Sequence, residues 1–123
     1  MSARTFSFRY GAFRGLLSAM GMGPRHSSIV LSGDALVVRM GWAFRATVPR
    51  AAITDVRATR GIVGGIGVHG WRGRWLVNGA ARGLVTLAID PPCRGRMVVP
   101  VQVSELTMSL EDPDAFMEAL GPR

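Results

Sequence analysis

Apolar and polar residues alternate with a period of two through most of this chain. Over residues 4–10, Phe6, Phe8 and Tyr10 fall on one face and Thr5, Ser7 and Arg9 on the other, the mark of a half-buried strand. Ser28 to Ser32 reads as a second short strand, closed by the turn pair Gly33-Asp34. Leu36, Val38 and Met40 then share a face, Gly41-Trp42 turns the chain, and Phe44, Ala46 and Val48 alternate with Arg45 and Thr47. Pro49 ends that strand because it has no N–H for the ladder. Ile53 and Val56 dock the chain again, in a strand expected to run to about Arg60.

The period breaks in two places. Phe13, Leu16, Leu17 and Met20 fall at i, i+3, i+4 and i+7, a short helical stripe expected to pack on one end of a sheet; flanked by Arg9 and Arg14, it also has the composition of a membrane-surface helix. The second break is Gly61 to Gly83, with eight Gly, Trp71, Trp75, His69, Arg72, Arg74 and Arg82. Its first half, to about Gly70, predicts a turn or irregular hairpin. Arg72 to Val77 predicts a strand with Arg72 and Arg74 on one face. Asn78-Gly79 predicts the turn of a hairpin, with Leu84 to Ile89 returning until Asp90-Pro91-Pro92 breaks it. Met97 to Leu110 predicts a long strand interrupted at Pro100 and bent near Ser104-Glu105. Arg72-Gly73-Arg74 and Arg94-Gly95-Arg96 each precede an apolar run, which reads as repeated turn chemistry.

The tail predicts a helix. Asp112 suits the N-cap, Pro113 the first helical position, and Phe116, Met117 and Leu120 form the stripe before Gly121-Pro122 stop it. A helix this short does not hold in water alone, so the stripe must pack on the strands. The expectation is an all-β chain with one C-terminal α-helix, with residues 28–123 as the body and 1–27 as an N-terminal strand and Gly-rich connection of the same domain.

Composition adds limits. The length, 123 residues, fits one domain. The single cysteine, Cys93, leaves no internal disulfide and no Cys-rich metal site. The net charge is +7 and every basic side chain apart from the two His is Arg. Fourteen Arg face four carboxylates through residue 110, whereas Glu111, Asp112, Asp114 and Glu118 face only Arg123 beyond it. A basic body attracts anionic lipid, nucleic acid or an acidic protein. No run approaches the roughly 18 apolar residues of a membrane span. Leu16 to Met22 is too short and Gly-broken for a signal segment, so the expected location is cytoplasmic, with membrane-peripheral attachment as the alternative.

Val48-Pro49 followed by Ile53 and Val56, and the ending Asp112-Pro113-Asp114-Ala115-Phe116-Met117-Glu118-Ala119-Leu120, resemble the bacterial pleckstrin-homology-like (PH-like) domains. Gly67 to Gly79 is similar to a stretch in small, uncharacterised actinobacterial proteins. The resemblance covers roughly residues 28–120. It implies a partly open barrel of two bent antiparallel sheets closed by the helix, used for binding or assembly, with no catalysis. Eukaryotic relatives often bind phosphoinositide headgroups on a basic strand-loop, a motif with no residue-by-residue match here.

Candidate chemistry is sparse. Gly65-Ile66-Gly67-Val68-His69-Gly70 matches G-x-G-x-x-G, but a dinucleotide loop needs a helix after it, and Trp71 to Val77 reads as strand. His26 and His69 have no nearby second ligand at metal spacing, and Cys93 as a nucleophile would need a base and a depressed pKa, which Arg94 and Arg96 could help supply. Asp112 and Asp114 are explained by the helix cap. No cofactor or metal is expected. What remains is a binding constellation, His69, Trp71, Arg72, Arg74 and Asn78, joined by Arg39 and Arg45 on the earlier strands. Arg forks pair with phosphate or carboxylate, or the same side chains form a solvated face whose stems cover apolar surface.

Two functional readings follow. The first is a non-enzymatic scaffold engaging a protein partner or itself. The second is a module for anionic ligands, phospholipid headgroups above nucleic acid, which expects Arg39, Arg45, Arg72 and Arg74 to cluster. No helix-turn-helix, zinc finger or aromatic RNA-binding pattern supports nucleic acid. No small-molecule substrate is indicated, and an enzyme would need a pocket joining His69 to a carboxylate or Cys93.

Overall fold

The computed structural model describes residues 3–12, 14–59, 67–80, 82–97 and 99–121. In order these form β1 (Arg4–Phe6), α1 (Arg14–Ala19), β2 (Ser27–Leu31), β3 (Ala35–Met40), β4 (Phe44–Pro49), β5 (Ile53–Thr59), β6 (Gly67–Trp71), β7 (Arg74–Asn78), β8 (Leu84–Met97), β9 (Val99–Ser109) and α2 (Pro113–Leu120). The architecture is all-β with a C-terminal helix. The strands join in the order β1-β2-β3-β4-β8-β9-β7-β6, with β5 paired to β8, in a sheet that is open rather than closed into a barrel.

The long β8 makes the sheet bend. Residues 84–89 pair with β5, whereas Gly95 and Arg96 pair with β4. Against β9 the register slips between Ala88, opposite Glu105, and Cys93, opposite Val103. Asp90, Pro91 and Pro92 are exposed in this slip, where a bulge relieves proline of its missing ladder bond. The prolines therefore bend the strand instead of ending it, and β9 runs through Pro100 unbroken; the irregularity faces Ser104, but its extra residues lie on β8 rather than at Ser104-Glu105.

Inward positions of both halves form one core. Ile29, Leu36, Val38, Met40, Ala46 and Val48 come from the first half, and Val77, Val85, Leu87, Leu106 and Met108 from the second. Each large aliphatic or aromatic side chain buried here contributes roughly 1.5–3 kcal/mol. Helix α2 covers the core as its sequence predicts: Phe116 and Leu120 are buried, and Phe116 meets Phe6 edge-on at 5.2 Å. The Asp112 carboxylate accepts from the Ala115 N–H at 3.1 Å, and Gly121 ends the helix at φ +78°. Arg50 ties α2 to the β2–β3 turn, donating to the Ala119 and Ser32 carbonyls, each at 3.0 Å.

The N-terminal segment is stitched into the same sheet. β1 pairs with β2, and Phe8 and Tyr10 make isolated bridges to Leu110 and Gly79. The Arg9 guanidinium donates to the Leu110 and Glu111 carbonyls at 3.0 and 3.1 Å.

Several sequence expectations are corrected. Gly67 to Trp71 is strand rather than turn, and Arg72-Gly73, both at positive φ (51° and 84°), close a two-residue hairpin between Trp71 and Arg74. Positive φ at both central residues is the twist that hairpins of this length favour. The strand expected from Arg72 thus begins at Arg74. Asn78-Gly79 does not close a hairpin with β8: β7 pairs with β6 and, in parallel, with β9, because β9 is already hydrogen-bonded to β8 and fills the space between them. Arg94-Gly95-Arg96 is strand interior, not a turn. The Gly61–Ile66 part of the expected loop, Arg60, Phe13 of the helical stripe and Pro122 lie outside the described residues.

Candidate functional site

The arginines divide by what holds them. Arg9 and Arg50 are spent on backbone carbonyls. Arg4 lies over the Phe6 ring, 5.1 Å from its centroid. Arg74 donates to Glu105 at 2.9 Å, and Arg57 reaches Glu105 and Asp55 at 3.3 and 3.4 Å. Burial alone would raise the Glu105 carboxyl, but the hydrogen bonds and charges of Arg74 and Arg57 outweigh it and hold the carboxyl below its usual range.

Arg39, Arg45, Arg94 and Arg96 are different: all are exposed and none joins those pairs. The ladder sets them side by side. Arg39 is the register partner of Arg45, and Arg45 of Arg96. Register partners project to the same side of a sheet, so three guanidinium groups form a row across β3, β4 and β8. Arg94, two residues before Arg96, joins the same face. The inward positions between them are Val38, Ala46 and Gly95. Gly95 keeps β8 close: a Cβ there would sit 2.9 Å from Val103 Cγ2 and 3.4 Å from Ala46 Cβ. Arg45, Thr47, Arg94, Arg96 and Pro100 line an open groove of about 300 Å³.

Like charges directly opposite each other on adjacent strands repel. A row of them without carboxylates is held at a cost that an anion relieves, and guanidinium forks suit phosphate and carboxylate oxygens. This arrangement can bind an extended anionic group. Among the described residues that line the groove, Thr47 supplies the one hydroxyl and none is His, Cys, Asp or Glu.

The sequence-predicted constellation is split. Arg39 and Arg45 meet in the row, but Arg74 lies on β7, separated from β4 by β8 and β9 and engaged by Glu105, and Arg72 stands at the β6–β7 turn. The expected four-arginine cluster is therefore corrected to Arg39 and Arg45 with Arg94 and Arg96. His69 is exposed on β6 and shares a shallow groove with Arg74, Leu76, Glu105 and Thr107. Asn78 is fully buried and donates to the Ala80 carbonyl at 2.9 Å, so it holds the chain after β7. Trp71 is placed in β6 by its backbone, and its side chain lies outside the described structure. Trp75 is buried, donates to the Gln102 carbonyl at 2.8 Å and packs on Phe44, with ring centroids 5.9 Å apart.

Burial raises the half-buried Cys93 thiol, against a smaller lowering from its own backbone, which opposes thiolate formation. Burial likewise raises Tyr10, whose hydroxyl donates to the Met22 carbonyl at 2.8 Å. Among the described residues no group of three His, Cys, Asp or Glu side chains could hold a metal ion, and no helix is long and apolar enough to cross a membrane. No family model, curated protein or solved structure matches this chain.

Sequence reasoning missed Arg94 and Arg96. The signal was present: Arg-Gly-Arg running into Met97 and Val99 continues a period of two, which places both Arg on one face. The adjacent prolines concealed it, since they read as the end of a strand.

Proposed function

We propose that this chain is a non-catalytic binding module that takes an anionic, phosphate- or carboxylate-bearing ligand on the Arg39–Arg45–Arg96 row. The in-register stacking of three like charges with no carboxylate among them carries the reading. The kinship suggested by the Val48-Pro49 strand end and the capped tail, to the bacterial PH-like domains, belongs to the same proposal. Such domains serve as binding modules, which agrees with a basic face open to solvent.

Titration calorimetry with linear polyphosphate tests it. Arg45→Glu should lose on the order of tenfold in affinity or more, whereas Arg82→Glu, an equal charge change on an exposed loop arginine, should lose much less. Equal losses in the two variants would reduce the row to part of a general basic surface. A second reading, a scaffold that adds a strand from a partner or a second copy, is favoured by β1 and β6 standing at the two ends of the hydrogen-bonded order. Light scattering that shows a concentration-dependent dimer would support it.

A further inference from the structure

Among the described residues, the large apolar side chains left exposed are Leu16, Met20, Trp42 and Val99. They come from α1, the β3–β4 turn and the β8–β9 hairpin, far apart in sequence. The structure brings them to one end. Met20 follows Leu16 by one helical turn, and the Trp42 indole N–H donates to the Met20 carbonyl at 2.6 Å. The pair Arg45 with Arg96 aligns the start of β4 with the end of β8, so the Met97–Val99 hairpin end lies level with the Met40–Phe44 end that carries Trp42.

This end is built, not frayed. Gly41 at φ +54° packs so closely on the Gly21 carbonyl that a Cβ would overlap it, and Gly21 lies against the Trp42 ring. The Gly41 N–H donates to the His26 carbonyl at 2.9 Å. With its N–H satisfied internally, Trp42 turns outward as an apolar plate, 64% exposed. Leu17, the neighbour of Leu16, points into the core instead. The helical stripe expected to pack on the sheet thus divides, with one residue inward and two outward.

Charge surrounds the apolar end. Arg39 and Arg45 stand one residue in from the turn-closing pair, Arg96 beside them, and Arg14 and Arg25 are exposed on α1 and on the 3-10 turn before β2. Asp34 and the Arg50-tied end of α2 lie at the opposite ends of β3 and β4. Glu111 is the exception, sharing a groove with Arg14.

From this geometry we infer that Trp42, Met20, Leu16 and Val99 dock into the interface of an anionic lipid bilayer while the arginine row engages its headgroups. An aromatic plate with aliphatic neighbours suits the headgroup–acyl boundary, and a ring of Arg supplies the second attraction that stable peripheral binding needs. The inference rests on the proposed anion-binding row and adds the apolar anchor and the bilayer to it.

The test uses the full chain and phosphatidylcholine vesicles with or without phosphatidylserine, read by co-sedimentation at physiological salt, with polyphosphate affinity measured in parallel. Wild type should bind only the phosphatidylserine vesicles, and brominated lipid should quench its tryptophan emission. Trp42→Ser, and separately Leu16→Ser with Met20→Ser, should each weaken vesicle binding on the order of tenfold. Both should leave polyphosphate affinity within a factor of about two of wild type, which also shows that they fold. Unchanged vesicle binding in both apolar variants, with loss in Arg45→Glu, would overturn the apolar anchor and leave the arginine row standing. Arg45→Glu without effect on either probe would overturn the row and the inference with it. Polyphosphate binding without vesicle binding would overturn the bilayer. A dimer dissolved by Trp42→Ser would overturn it too, with a second copy as the occupant of the apolar end.

Discussion

Arg45 is the central member of the row, so its replacement tests whether the row is held against repulsion. In Arg45→Glu, two repulsive cross-strand pairs, Arg39–Arg45 and Arg45–Arg96, become attractive. A directly opposed charge pair contributes roughly 0.2–1 kcal/mol in either direction. Each reversal is worth twice that, so two span roughly 0.8–4 kcal/mol. The side chains are exposed, which keeps the gain to the lower part, about 1–2 kcal/mol of stability at low salt. Directly opposed Cβ atoms lie roughly 5 Å apart, inside the Debye length of about 8 Å at physiological ionic strength, so salt shrinks the gain without abolishing it. For a chain of this size, the shift in Tm is roughly 4–8 °C. Arg45→Gln is the reference, because it removes the charge and a similar length of stem. Its Tm should fall between those of wild type and Arg45→Glu. Differential scanning calorimetry at low and high salt reads the effect, and polyphosphate should raise the Tm of wild type but not of Arg45→Glu. A low-salt Tm of Arg45→Glu at or below that of Arg45→Gln, with circular dichroism unchanged, would refute the repulsive row. The expected pairing of greater stability with weaker binding is the trade-off of a site kept strained for its ligand.

Two further outcomes probe the second half of the sheet. In Gly70→Ala the new methyl overlaps the indole of Trp75, which the Gln102 carbonyl and Phe44 hold in place; a loss of about 1–3 kcal/mol is expected in urea unfolding, with a change in tryptophan emission. Glu105→Gln tests the Arg57–Glu105–Arg74 cluster. The folded carboxyl is held below its ordinary value of 4.5, so its contribution is present above that pH and is lost as pH falls through the folded value. Because Arg74 and Arg57 are more than half exposed, Gln should cost no more than about 1 kcal/mol at pH 7. Urea curves should converge as the carboxylate is protonated; a gap that persists at acid pH would assign the loss to packing.

Elements whose signal is local are legible in the chain alone. A period of two marks β3 and β4, since alternate side chains of a strand face opposite sides whatever the fold around them. Asp112, Pro113 and Gly121 mark α2, because a side-chain acceptor, a preset φ and a positive φ at the end are each needed within a few residues. Arg39 and Arg45 were already visible as the polar faces of their strands.

Which strands are neighbours is set by long-range packing. Asn78-Gly79 has the composition of a hairpin turn, yet β7 lies beside β9 in parallel, because pairing depends on what fills the space and not on the dipeptide. Asp90-Pro91-Pro92 reads as a strand end, yet β8 continues through it, because a bulge at the bend needs no hydrogen bond from proline. That continuation carries Arg94 and Arg96 to the side of Arg45. The same register brings Val99 level with Trp42, and folding of the N-terminal segment adds Met20 and Leu16. A charge row across strands and an apolar end drawn from one helix and two hairpins are long-range properties. They exist only once the register is set, and register follows from packing of the core between the two halves of the sheet, which no local window of the chain contains.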